Sequence, residues 1–186
     1  MTASRARAVL LWVALVVAQA ALAEATPAPR VEASEAAVKA AFLYKFATYV
    51  EWPESAVPAP ESPFVFGVAG SDDVAAELEK ILPGRVIHDH PAAVRRLKEG
   101  EPIAGVHLLF VGRTQPNALA VVRAAQQQGI LCVTETERGL ETGSTINFVA
   151  ADERVGFEVS LDAAERSGLR ISSRMLNVAR RVVSRP

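Results

Sequence analysis

Apolar residues recur along this chain in two rhythms. From Glu35 to Glu51 they return every three or four positions, at Val38, Phe42, Phe46 and Tyr49, the spacing of one helical face. Ser34 stands where an N-cap belongs, and Trp52-Pro53 ends the run, because a residue before proline is pushed out of the helical region. Tyr44 falls on the opposite face, flanked by Ala40 and Ala47. Such a lone aromatic beside small residues is either a docking surface or a contact to a second layer of the same domain.

Beyond a Pro-rich loop the rhythm alternates between short runs of β-formers and helical periods. "FVFGVA" (64–69) reads as a strand, and "GSDDVAAELEKILPG" as a helix capped by Ser71, with Asp72 and Asp73 in its first turn. Then follow "RVIHDH" as strand, "PAAVRRLKEG" as short helix, "VHLLFVG" as strand, "PNALAVVRAAQQQG" as helix and "ILCVT" as strand. Four alternations predict a mostly parallel sheet covered by helices, so the fold class is α/β. "STINFVAADERVGFEVS" breaks the pattern with two strands around Asp152 and Glu153, an antiparallel hairpin. Its register sets Ala150 against Val155, Phe148 against Phe157, Ile146 against Val159 and Asn147 against Glu158, giving one apolar face and one polar cross-strand pair. A helical turn, "DAAERSG", and a last helix, "SSRMLNVARRV", close the domain.

The N-terminal pattern is of another kind. Arg5 and Arg7 precede the apolar run "AVLLWVALVV" and the Ala-x-Ala sites of "AQAALA", the layout of a signal peptide over 1–23, cleaved after Ala23. A ten-residue apolar core is short for a membrane span of about 20 residues. Residues 24–33 read as a flexible leader, and 34–186 as a single domain. Without Arg5 and Arg7 the chain keeps 18 basic against 21 acidic residues, and a net charge near −3 offers no attraction for nucleic acid. Export would favour disulfides, yet Cys132 is the one cysteine and sits among apolar residues, where it reads as a small buried hydrophobe.

Candidate chemistry is sparse. His88, Asp89 and His90 have the period that places both histidines on one strand face, but a third ligand is lacking and His107 opens another strand. The turn "GVAGSDD" joins strand to helix as phosphate loops do, but lacks their lysine, and its two aspartates would repel a phosphate. The carboxylates Asp152 and Glu153 sit at a hairpin tip, and no serine stands in a nucleophile elbow. No constellation argues for an enzyme and no cofactor is expected. A binding regulator competes with a small-molecule binder using the crevice near Gly70 and Gly112, and with a metal-dependent hydrolase built on His88 and His90.

"KAAFLYKFATYVEWPES", "VHLLFVG", "GSTINFV" and "RVGFEVSLDAAERSGLRISSRMLNVAR", with the signal peptide, resemble the YfiR family of exported bacterial proteins over roughly residues 34–182. The resemblance implies a periplasmic regulator, dimeric and non-catalytic, that binds the periplasmic domain of an inner-membrane diguanylate cyclase of the YfiN type. Repression of that enzyme would lower cyclic-di-GMP and biofilm formation until envelope stress or redox change relieves it. The best-known member carries disulfide-forming cysteines; with Cys132 alone, this chain departs from it. The residues expected at the partner surface are Tyr44 on the first helix and, where hairpin meets last helix, Glu158, Arg170, Ile171 and Met175. Their structural alternatives are core positions for Ile171 and Met175 and an Arg170–Glu158 pair.

Overall fold

The computed structural model describes residues 33–151 and 154–184. The expected signal peptide, nearly all of the leader and the hairpin-tip carboxylates of Asp152 and Glu153 lie outside the described residues. Helix α1 (Glu35–Tyr49) begins at Ser34, whose hydroxyl accepts a hydrogen bond from the Ala37 amide at 3.1 Å. Its buried stripe is centred on Leu43, with Ala40, Phe46 and Ala47 beside it, whereas Phe42 is half-buried and Tyr49 is 37% exposed. The stripe is therefore turned by about one residue, ~100°, from the aromatic one expected. The helix has to satisfy two neighbours at once. Phe42 and Phe46 pack on Phe148 and Phe157 of the sheet, and α2 (Asp72–Ile81) lies alongside, a closeness that small residues such as Ala40 and Ala47 permit.

Among the described residues the main sheet has eight strands: β2 (Phe64–Ala69), β3 (Val86–Ile87), β4 (His90–Leu97), β5 (Leu108–Val111), β6 (Leu131–Thr134), β7 (Ile146–Ala151), β8 (Arg154–Ser160) and β10 (Arg181–Val183). A separate ribbon pairs β1 (Val50–Glu51) with β9 (Arg170–Ile171). The spatial order is β10-β8-β7-β6-β5-β2-β4-β3. Its five central strands, β4, β2, β5, β6 and β7, are all parallel. Ranked by succession they stand second, first, third, fourth and fifth, the doubly wound order whose switch point falls between β2 and β5. The hairpin β7–β8 has the expected register at all four pairs named above. Its polar pair does not bond across the strands. Asn147 accepts from the Thr134 hydroxyl at 2.8 Å, and Glu158 pairs with Arg181.

One expected helix is a strand, and another is cut short by one. Residues 91–97 carry helix formers, yet they lie in β4, in register with β2 from Phe64↔Ala92 to Ala69↔Leu97. The cause lies upstream, where His88 (φ 46°) and Asp89 (φ 68°) fill both central positions of a two-residue hairpin loop, the backbone of a type I′ turn. At the C-terminus the expected long helix lasts only for α6 (Ser173–Leu176); the chain then extends as β10, parallel to β8. Pairing along a sheet edge overrides propensity in both places.

Strand alternation sorts the core onto two faces. Phe64, Phe66, Val68, Leu108, Phe110, Leu131 and Val133 face α1 and α2, while Ala69, Leu109, Val111 and Cys132 face α3 (Ala118–Gln127). Two short helices complete the fold, α4 (Gly139–Thr142) before β7 and α5 (Leu161–Arg166) after β8. The crossover from β4 to β5, residues 98–107, contains neither helix nor strand; Ile103 and Val106 plug the sheet face from within this loop.

Candidate functional site

The exit of α1 is latched to the far end of the chain. Val50 pairs with Ile171 and Glu51 with Arg170, and the Ser172 amide donates to the Tyr49 carbonyl at 3.1 Å. Trp52 then packs edge-on against Phe64 (5.1 Å) and His88 (5.7 Å). The His88 Nε2 lies 3.0 Å from the Ala47 carbonyl and 3.2 Å from that of Val50. Both partners only accept, so this nitrogen carries the proton. His90 belongs to the next strand, and its Nδ1 is 2.9 Å from the Ser62 carbonyl. The two histidines thus hold backbone at separate places and do not share a strand face. Among the described residues no three His, Cys, Asp or Glu are grouped to hold a metal ion.

The five residues expected at a partner surface do not form one patch. Arg170 and Ile171 sit together on β9, with the Arg170 side chain 85% exposed and 3.9 Å from Glu51 rather than on Glu158. Glu158 lies beside β10, in a two-bond pair with Arg181 at 2.9 and 3.0 Å. Tyr44 is half-buried, and the Arg85 guanidinium stands 5.3 Å from its ring centre, near the β3 edge of the sheet. Met175 is 2% exposed and packs in the core, so it offers no contact surface. Its burial follows from α6 turning inward against α1 where a longer amphipathic helix was expected.

A second polar cluster lies at the carboxyl end of the sheet, where the crevice near Gly70 and Gly112 was expected; its Lys39, Arg113 and Glu135 were not foreseen from sequence. There Gly112 donates its amide to Ala69 at 2.8 Å, and Thr114 its hydroxyl to Gly70 at 2.7 Å. A Cβ on Gly112 would stand 2.2 Å from the Gly70 carbonyl oxygen, so the tips of β2 and β5 close on each other only because this position lacks a side chain. Beside them the Lys39 ammonium bridges Glu135, whose side chain is 8% exposed, and Glu35, 63% exposed. Glu135 also accepts from the Arg113 amide at 3.1 Å, and its own carbonyl from the Arg113 guanidinium at 3.2 Å. Burial opposes the charge on Lys39, but hydrogen bonds to Glu135 and Glu35 outweigh it and hold the ammonium above its ordinary range. The Lys39 hydrogen bond in turn lowers the Glu35 carboxyl. Ser71 occupies the N-cap position of α2, but its hydroxyl donates to Asp73 at 2.5 Å, and the Asp73 carboxylate accepts from the Val74 amide at 2.8 Å. That serine bond is the main cause lowering the Asp73 carboxyl. These groups line a cavity of about 490 Å³ with Ala36, Gly70, Asp72 and Thr114.

Cys132 is 0% exposed, and burial pushes its thiol from 9.0 up to about 12. It is a small hydrophobe of the α3 side of the core. Among the described residues no helix is long and apolar enough to cross a membrane.

No curated protein matches the sequence. One solved structure, described as the ABC domain in complex with L-Trp from Streptococcus pneumonia, superposes with a TM-score of 0.50 at 12% identity. The alignment covers 80% of this chain and 60% of that one, and at such identity it speaks for a shared fold alone. A protein-family model described as YfiR/HmsC-like matches residues 36–180, from the second residue of α1 to the residue before β10. The chain therefore belongs to the YfiR/HmsC-like family, whose members are periplasmic regulators in cyclic-di-GMP signalling.

Proposed function

We propose that the protein is exported by a signal peptide over residues 1–23 and, as a homodimer without catalysis of its own, binds and represses an inner-membrane diguanylate cyclase through its periplasmic domain. The observation that carries this reading is the family match over 36–180, which runs through both the α1 exit and the ribbon that latches it. Repression would be a population shift: the regulator has to bind the inactive conformation of the cyclase more tightly than the active one. Moving that equilibrium from 1:99 to 99:1 takes about 10⁴-fold preference. Contact through Arg170 and Ile171, with Tyr44 and Glu158 as outlying positions, supplies an exposed arginine and a tyrosine, two of the residue types that interfaces favour.

Deletion of the gene is expected to raise cellular cyclic-di-GMP, and an unchanged level would end the repressor reading. Capture of the cyclase's periplasmic domain by the purified protein should weaken on Arg170→Glu and on Tyr44→Ala; undiminished capture removes that residue from the surface. A second reading, a periplasmic small-molecule binder, is favoured by one observation: the 490 Å³ cavity opens at the carboxyl end of a doubly wound sheet, where such folds take their ligands.

A further inference from the structure

The crossover from β4 to β5 is a loop where doubly wound folds usually place a helix, and a groove remains beside α3. This groove, about 460 Å³, is floored by Ala69, Leu97 and Ile103 and walled by Ala120 and Ala124 of α3 on one side. On the other side stands the loop bearing Glu99 and Glu101, both exposed. The outward surface of α3 is unusual for a helix facing water. It has a single charged side chain in ten residues, Arg123, and an exposed Leu119, 44% accessible. Among the described residues Arg123 meets no carboxylate, and Glu99 and Glu101 meet no cation; they accept only from the Asn117 amide group and the Lys98 backbone amide.

We propose that this face is the homodimer interface, with a second copy of the chain as its occupant. The proposal rests on the dimeric reading above and gives that dimer its surface. Helical spacing puts Leu119 and Arg123 on one flank of α3 and Ala120 and Ala124 on the other, toward the groove. A two-fold axis running along α3 sets the Leu119–Arg123 flank of each copy over the groove of the other. Leu119 then enters the alanine-walled hollow, and Arg123 meets Glu99 and Glu101 across the interface, each contact made twice. One surface carries both halves of every contact, as an isologous interface requires. An unrelated partner would need its own copy of that combination.

The test is sedimentation equilibrium of the full-length gene product, purified as the cell processes it, with circular dichroism to confirm the fold of each variant. The wild type is expected to be a dimer. Leu119→Glu should raise its dissociation constant by at least ~30-fold, the loss typical of a central interface side chain. Arg123→Glu, at a position where it cannot disturb the core, should also weaken the dimer, and adding Glu99→Arg and Glu101→Arg should restore it. A monomeric wild type overturns both this interface and the dimeric reading, while leaving cyclase repression to the deletion experiment. A wild-type dimer that either single substitution leaves unweakened, or that the charge swap fails to restore, overturns the interface alone.

Discussion

Replacing Glu135 by Gln tests whether the ion pair at the carboxyl end of the sheet holds α1 to the fold. The substitution keeps the shape and leaves the Lys39 ammonium, on a side chain 8% exposed, with Glu35 as its remaining carboxylate. Removing one partner of a buried pair costs about 3–5 kcal/mol. The surviving bond to exposed Glu35 offsets ~0.5–1 kcal/mol of that, so the expected loss is about 2–4 kcal/mol. For a domain of this size that corresponds to a fall in Tm of roughly 5–15 °C. Glu35→Gln, which removes only the exposed partner, should cost less than ~1 kcal/mol. Adding Lys39→Met to Glu135→Gln removes the stranded charge and should recover part of the loss. Urea denaturation measures all four proteins. The pH dependence has a definite sign. Lys39 is raised, so its contribution is complete below the ordinary lysine value of 10.5 and fades as pH climbs through its folded value. Glu35 is lowered, so its part is complete above 4.5 and is lost as pH falls through its folded value. Equal costs for Glu135→Gln and Glu35→Gln, or a double variant weaker than Glu135→Gln alone, would refute the reasoning.

Three further outcomes are expected. Cys132, raised from 9.0 to about 12 and fully buried, should react with a thiol reagent only as fast as the protein unfolds; rapid labelling of the native state would contradict its burial. Because the native state keeps that proton longer, this group lowers stability as pH rises from 9 toward 12. Gly112→Ala drives a methyl against the Gly70 carbonyl and should cost about 1–3 kcal/mol or more in a thermal melt. Replacing His88-Asp89 by Asn-Gly keeps the positive-φ turn; it should melt within about 1 kcal/mol of the parent, the turn gain offsetting the lost His88 bonds, whereas Pro at 88 should be strongly destabilising.

The mostly parallel sheet was legible because its inner strands, "FVFGVA", "LLFV" and "LCVT", are short apolar runs rich in β-formers that alternate with helical periods, the mark of strands buried on both faces. Their doubly wound order came only with the fold. The hairpin register followed from strict alternation around a turn. What escaped was decided by partners distant in the chain. Residues 91–97 read as helix because Ala, Arg and Leu favour it, and the turn that makes them a strand contains no glycine. Weighting aromatics above Leu43 and the alanines rotated the expected face of α1, and so misjudged Tyr49. Tyr44 was placed away from the sheet-facing aromatics, but only the folded chain brings Arg85 over it. Lys39 and Glu135 are 96 residues apart, and a lysine beside Ala40 and Leu43 on a core-facing stripe was the one local sign of the cluster.

Among the described residues, the β1–β9 ribbon ties the exit of the first helix to one of the last strands, Val50 to Ile171. During synthesis or passage across a membrane, α1 emerges early but finds its latch only when about 120 more residues have followed, and the sheet edge closes later still at β10. A chain cut short before Arg170 leaves the Val50–Glu51 backbone without its partner strand, and limited proteolysis of such a truncation is expected to cut there before it cuts the central sheet.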